Sequence, residues 1–209
     1  MKSMHTHPST PTRPPPSWLS RARRLAASAQ DHARYWNVTG AEREAGYPCD
    51  AYAEPAYEPV LRAVDVDAPA AVVFRWLCQL KVAPYSYDLL DNLGRHSPRE
   101  LTPGAERLGR GQRFLIFELV DFEPDRHLTG LTFPAARLIF GPIAGTYLVT
   151  PVGDGASRLV VKLCIGRAGP LNETRATLLA WGDLLMMRKQ LLTIKGLAEA
   201  SPTRQRKAA

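Results

Sequence analysis

The chain has 209 residues, a length that suits one domain with appendages and that can bury a core without covalent staples. Its composition is that of an ordinary soluble chain, 45% hydrophobic and 22% charged, and no stretch approaches the ~18 apolar residues that a bilayer span needs. The net charge of +7 sits entirely in the two ends, because residues 37–199 hold 18 basic and 19 acidic side chains; this excludes a nucleic-acid-binding body, which needs a basic face on its folded part.

Residues 1–16 contain five prolines among Ser, Thr and His, a composition that cannot build a core and is expected to be disordered. Pro and Arg interrupt this end throughout, so it lacks the apolar run of a secretory signal, and a cytoplasmic location is expected. From Trp18 to Trp36 an apolar stripe (Trp18, Ala22, Leu25, Ala29, Ala33, Trp36) recurs at helical spacing beside Arg21, Arg23 and Arg24. Being rich in alanine, this helix is expected to dock on its own domain; a weak peripheral contact with a membrane is the alternative. Residues 37–58 are rich in turn formers and read as an irregular lead-in.

Residues 60–66 alternate and are β-branched, which predicts a strand. Asp67, Ala68 and Pro69 supply a helix start, and the spacing predicts a helix over 69–80 with Val72, Val73, Trp76, Leu77 and Leu80 on one apolar face. A second short helix is predicted through 87–93, closed by Gly94, followed by a loop over 94–111 long enough to be a lid or an entrance. Strands are then predicted over 112–120, 126–133, 137–140, 146–152 and 158–165. In the last, Leu159, Val161, Leu163 and Ile165 share one face and Arg158 and Lys162 the other, the pattern of a sheet with one covered and one wet side. Short connections such as Gly153-Asp154-Gly155 suit hairpins and hence an antiparallel sheet. The chain ends in a helix over about 171–200, with Leu178, Trp181, Leu184, Leu185, Leu191, Leu192 and Ile194 in a broad apolar stripe. One rod cannot tile a curved sheet, so a cavity is expected between them.

This order of elements resembles the START-like, or SRPBCC, superfamily, which includes polyketide cyclases. Three stretches carry the resemblance. Residues 64–77 (Val-Asp-Val-Asp-Ala-Pro-Ala-Ala-Val-Val-Phe-Arg-Trp-Leu) look like the family's strand-to-helix opening. Residues 84–94, with Tyr85 and Tyr87, are similar to a tyrosine-rich segment of a bacterial branch, and residues 181–195 to that branch's final helix. Trp36 and Tyr47-Pro48-Cys49-Asp50 join them as an N-terminal feature. The resemblance implies an α+β helix-grip fold, a curved antiparallel sheet wrapped around a long C-terminal helix. The implied layout is a tail over 1–16, helix and lead-in over 17–56, a START-like ligand-binding domain over 57–200 and a basic tail over 201–209. For activity the superfamily is a poor guide, since it spans carriers, receptors, cyclases and partners of other proteins.

The chemistry-bearing patterns are sparse. There is no GxSxG elbow, P-loop, HExxH or dinucleotide fingerprint, and His32, His96 and His127 are too scattered for a metal site, so no cofactor and no metal are expected. Cys49, Cys78 and Cys164 contain no CxxC and are odd in number, which reads as buried, reduced core thiols. The expected function is binding of a hydrophobic or amphipathic small molecule, lipid or polyketide-like, in a cavity lined by Trp76, Tyr85, Tyr87, Phe114, Phe117, Leu131, Phe133, Tyr147, Trp181 and Leu185. A cyclase or dehydratase is the alternative, with Tyr87, His127 and Arg188 as the polar candidates. A protein-interaction module using the basic ends is the third. Asp183 and Arg188, charged side chains among the leucines of the last helix, are expected to have structural partners such as Arg75 or tyrosines across the core, with ligand recognition the alternative.

Overall fold

The computed structural model describes residues 21, 25, 28, 29, 31–86, 97–166 and 172–201. Its strands are β1 Tyr35–Trp36, β2 Tyr57–Val66, β3 Arg113–Phe114, β4 Phe117–Glu123, β5 His127–Thr132, β6 Ile143–Val152 and β7 Ala156–Gly166. They form one seven-stranded sheet in the order β1-β2-β7-β6-β5-β4-β3. Neighbours are antiparallel throughout, save for the two-residue parallel contact of β1 with β2. The helices are α1 Gly40–Glu44, α2 Ala70–Cys78, α3 Pro134–Phe140 and α4 Asn172–Ala200, with 3₁₀ turns at Pro48–Tyr52 and Gln79–Lys81.

The inner face of the sheet follows the period of two. Val60, Val64 and Val66 of β2, Tyr147 and Val149 of β6, and Leu159, Val161, Leu163 and Ile165 of β7 join one core with α2 and α4. On α4 the buried apolar positions are Ala180, Leu184, Met187, Leu191, Ile194 and Ala198, spaced by three and four. The sheet bends at its far edge for two reasons. A bulge interrupts the β4–β5 ladder between Leu119 and Asp121. Gly130 of β5 also faces Gly145 of β6, and a Cβ on Gly130 would lie 2.7 Å from both the Phe114 ring and Phe117 Cβ. The missing side chains let the Phe114–Phe117 pair fold onto the sheet. A curved sheet with a long C-terminal helix across its inner face is the helix-grip fold of START-like proteins, as the resemblance implies.

Several details differ from the sequence reading. The stretch predicted as strand 137–140 is helix α3, because Pro134 occupies its first turn and two alanines follow. Strand 112–120 is split into β3 and β4 by a tight turn at Leu115, which adopts φ 50. Tyr35–Trp36 leave the N-terminal helix, whose described end is 31–34, to pair with β2. The sheet is not wet on its outer face. The lead-in covers it: Tyr47 and Cys49 pack on Leu61, Ala63, Ala144, Val160 and Cys164, and Lys162 is 5% exposed. The alternation of β7 is real, but its polar partners come from the chain instead of water. Arg158 meets Glu42 at 2.8 Å and Lys162 meets Asp50 at 2.6 Å. The helix predicted over 87–93 lies outside the described residues, as do Tyr87, His96 and most of both tails. Among the described residues no helix is long and apolar enough to cross a membrane.

Candidate functional site

Between the bent sheet and the middle of α4 lies a cavity of about 520 Å³. Its sheet wall is Phe117 of β4, Ile143 and Tyr147 of β6, and Leu163 and Ile165 of β7. The segment after α2 supplies Leu80, Ala83, Pro84 and Ser86, and Leu115, Ile116 and Phe140 close one side. Helix α4 contributes Leu179, Gly182, Asp183, Met187 and Gln190, while Leu178 and Met186, both substantially exposed, stand at the rim. Two residues beside it are held in the left-handed region, Leu115 at φ 50 and Tyr85 at φ 56. Bulky side chains rarely adopt this conformation, so the surrounding packing fixes both.

Few polar groups enter this apolar wall. The Tyr147 hydroxyl donates to Gln190 Oε1 at 2.8 Å, and Gln190 Nε2 donates to the Pro84 carbonyl at 2.6 Å, which ties sheet, helix and post-α2 turn together. Burial pushes the Tyr147 phenol far above its ordinary range, so it remains a neutral donor. Lys81 and Ser86 also line the space, and a further polar element is Asp183, whose Oδ2 lies 3.0 Å from Arg62 Nη2. Among the described residues that oxygen makes no aligned hydrogen bond beyond this ion pair. Desolvation pushes the Asp183 carboxyl up to about 6, and the Arg62 charge only partly opposes it.

Arg62 is 1% exposed and projects from the inward parity of β2, between Val60 and Val64. Its guanidinium donates to the carbonyls of Ala33 (2.6 Å), Arg34 (2.7 Å), Leu61 (2.9 Å) and Ala180 (3.0 Å). Two of those carbonyls end the N-terminal helix, whose last C=O groups lack partners of their own. Desolvation lowers the Arg62 pKa, and Asp183 counters it.

The residues singled out from the sequence fall in different places. Phe117 and Tyr147 line the cavity. Tyr85 and Trp76 lie just behind it, packed edge to face at 6.1 Å and buried, with Trp76 Nε1 bonded to Ser201 Oγ. Phe114 packs behind Phe117 and Tyr147. Leu131 and His127 have the parity of Thr129, whose hydroxyl meets Thr146 on the outer face; Leu131 packs against the Tyr47–Cys49 cluster, and His127 sits 3.2 Å from Asp121. Phe133 caps α3 beneath the Arg113 guanidinium. Trp181 and Leu185 are 41% and 61% exposed, because each follows a buried position of α4 and is rotated about 100° away from it. Arg188 lies over the Trp36 ring at 5.7 Å, away from the cavity. Tyr87 lies outside the described residues. Asp183 does form an ion pair, with Arg62 in place of Arg75. The sequence signal for Arg62 was an arginine interrupting the inward alternation of Val60, Val64 and Val66.

No family model and no curated protein matches the chain. Solved structures similar to it include the Zhui aromatase/cyclase from Streptomyces sp. R1128, at 18% identity over 69% of this chain and 94% of that one, TM-score 0.40. A polyketide-cyclase-like protein from Corynebacterium glutamicum is 13% identical over 75% and 100% of the two chains, TM-score 0.43. Truncated norcoclaurine synthase from Thalictrum flavum is 12% identical over 70% and 96%, TM-score 0.43. Likenesses this distant carry no weight on ligand or activity.

Proposed function

We propose that this chain, built on the START-like helix-grip fold, binds an apolar or amphipathic small molecule of lipid or polyketide-like character in its internal cavity, with a polar end of the ligand turned to Asp183. The observation that carries the reading is a space of about 520 Å³ with a largely apolar wall on which Asp183 is one of a few polar residues. That volume is in the range of pockets that enclose a small ligand. Micromolar binding, about 8 kcal/mol, requires the net equivalent of about 330 Å² of apolar surface removed from water. The ligand class that fits has an apolar body and one hydroxyl or amine donor.

The test is native mass spectrometry of gently purified protein, followed by titration with a fluorescent apolar probe such as 1-anilinonaphthalene-8-sulfonate. Ala83→Phe, which places a ring in the space lined by Ala83, should weaken probe binding at least tenfold while the circular dichroism spectrum is retained. Unchanged probe affinity in a folded Ala83→Phe protein sinks the proposal. A second reading, a cyclase or dehydratase, is favoured by Asp183 alone, since a carboxyl near 6 can exchange a proton at neutral pH. Turnover of a polyketide-like substrate that is abolished in Asp183→Asn, with binding kept, would select this second reading.

A further inference from the structure

The Tyr47-Pro48-Cys49-Asp50 segment has no part in the cavity, since it lies on the opposite face of the sheet. Cys49 sits on the 3₁₀ turn Pro48–Tyr52, and its Sγ lies 3.9 Å from the Sγ of Cys164 on β7. The two sulfurs are in van der Waals contact, 115 residues apart in sequence, and both side chains are buried. Around them the chain supplies a polar shell. The Cys49 backbone N–H donates to Thr146 Oγ at 2.9 Å, the Cys164 thiol donates to Asp50 Oδ1 at 3.5 Å, and Lys162 Nζ holds that same oxygen at 2.6 Å.

We infer that Cys49 and Cys164 are an oxidisable thiol pair, which a hydroperoxide converts into an intramolecular disulfide that fastens the lead-in to the outer face of the sheet. The division of labour follows from the surroundings. Contact with the Cys164 sulfur, and Thr146 beside it, lower the pKa of Cys49, whereas Cys164, in contact with Cys49, desolvated and next to Asp50, is pushed up and keeps its proton. Cys49 lies on a short turn laid over the sheet and is the sulfur that a local opening bares to peroxide, whereas Cys164 is held in a strand paired on both sides; Cys49 is therefore the attacking sulfur and Cys164 the resolving one. In the first step the Cys49 thiolate attacks one peroxide oxygen. An S–O bond forms, the O–O bond breaks, and the released hydroxide or alkoxide takes up a proton; sulfur is oxidised by two electrons and the peroxide reduced by two. In the second step Cys164 attacks the sulfenic sulfur. The S–S bond forms, the S–O bond breaks, and the departing hydroxide leaves as water with the Cys164 proton, which Asp50 is placed to relay.

The same three side chains, Cys49, Asp50 and Cys164, have ligand atoms within 4.8 Å of one another and so offer a soft metal an S₂O set. The ammonium of Lys162 on Asp50 argues against that occupant, because a cation entering there would have to displace another. Cys78, the remaining cysteine, is the buried last residue of α2 and provides an internal control; burial pushes its thiol up to about 12.

The experiment treats the full chain with hydrogen peroxide, quenches, denatures, and alkylates the remaining thiols before mass analysis. The expected result is a loss of 2 Da, one alkylated cysteine at Cys78, and a cross-linked peptide joining residues 49 and 164 that dithiothreitol releases. Cys164→Ser should stop at a sulfenic acid on Cys49, captured by dimedone, and Cys49→Ser should form no cross-link. Thermal melting should shift upward by several degrees on oxidation of the wild type and not of Cys49→Ser. Three alkylated cysteines after oxidation overturn the inference, as does a cross-link through Cys78. Two masked thiols in untreated protein that a chelator unmasks would overturn it in favour of a metal site.

Discussion

Removing the charge from Asp183 should not destabilise the protein at pH 7, although it breaks a buried ion pair. The carboxyl rises from an ordinary 3.8 to about 6 even with Arg62 beside it, which corresponds to about 3 kcal/mol by which the fold disfavours the ionised form. A raised acid pKa means that the folded state holds the proton more tightly, so this group's contribution to stability falls as pH rises from about 4 through about 6 and is flat above. Asp183→Asn mimics the protonated form and leaves Arg62 bonded to the carbonyls of Ala33, Arg34, Leu61 and Ala180. Its urea unfolding free energy should therefore equal or exceed that of the wild type at pH 7 by up to about 3 kcal/mol. The difference should close as the wild type protonates toward pH 4. Arg62→Met is the contrasting perturbation. It strips those carbonyls of their donor and leaves Asp183 without a counter-charge, at a cost of roughly 3–5 kcal/mol. Equilibrium denaturation of both variants at pH 4.5 and 7.5 reads this asymmetry. A loss of more than about 1 kcal/mol in Asp183→Asn at pH 7.5 would refute the reasoning, since it would mean that the attraction of Arg62 outweighs desolvation.

Gly182 interrupts α4 where an added Cβ meets nothing within 4 Å among the described residues, so Gly182→Ala should raise stability by about 0.5–1 kcal/mol, read as a higher Tm. Gly130→Ala should do the reverse, losing roughly 1–3 kcal/mol or more by forcing Phe114 and Phe117 off the sheet, as near-ultraviolet circular dichroism would record. The orientation of α4 is tested by a pair of truncations. Leu191→Ala, at a position 0% exposed, should cost about 2–5 kcal/mol in chemical denaturation, whereas Leu185→Ala, at one 61% exposed, should fall within about 0.5 kcal/mol of wild type.

The sequence carried the architecture because β7 and α4 are long and periodic. Alternation in β7 put Leu163 and Ile165 on the inner face, and both line the cavity. The site was less legible. The apolar stripe of α4 is wider than the face it buries, and leucines at 178, 184, 185, 191 and 192 do not reveal whether Leu184 or Leu185 turns inward; only the docked helix decides. In β5 the parity of Leu131 could not be assigned without its register against β6, where it opposes Ala144. Short segments misled for a local reason: Arg137 to Phe140 reads as a strand by composition, yet Pro134 and two alanines start a helix. Arg62 interrupts the inward apolar positions of its strand, but its long-range partners, 28 to 121 residues distant in sequence, were not legible.

The cover that residues 38–57 lay over the outer sheet face has a practical bearing on where the folding unit begins. A fragment cut at Tyr57 would keep most of the strands and the long helix, and by strand count would look complete. It would nevertheless bare Leu61, Ala63, Ala144 and Val160, and would strand the Lys162 ammonium among them without Asp50. Such a fragment should precipitate or self-associate where the longer chain stays dispersed, and the smallest autonomous piece is expected to start upstream of Trp36, within the helix whose carbonyls Arg62 holds.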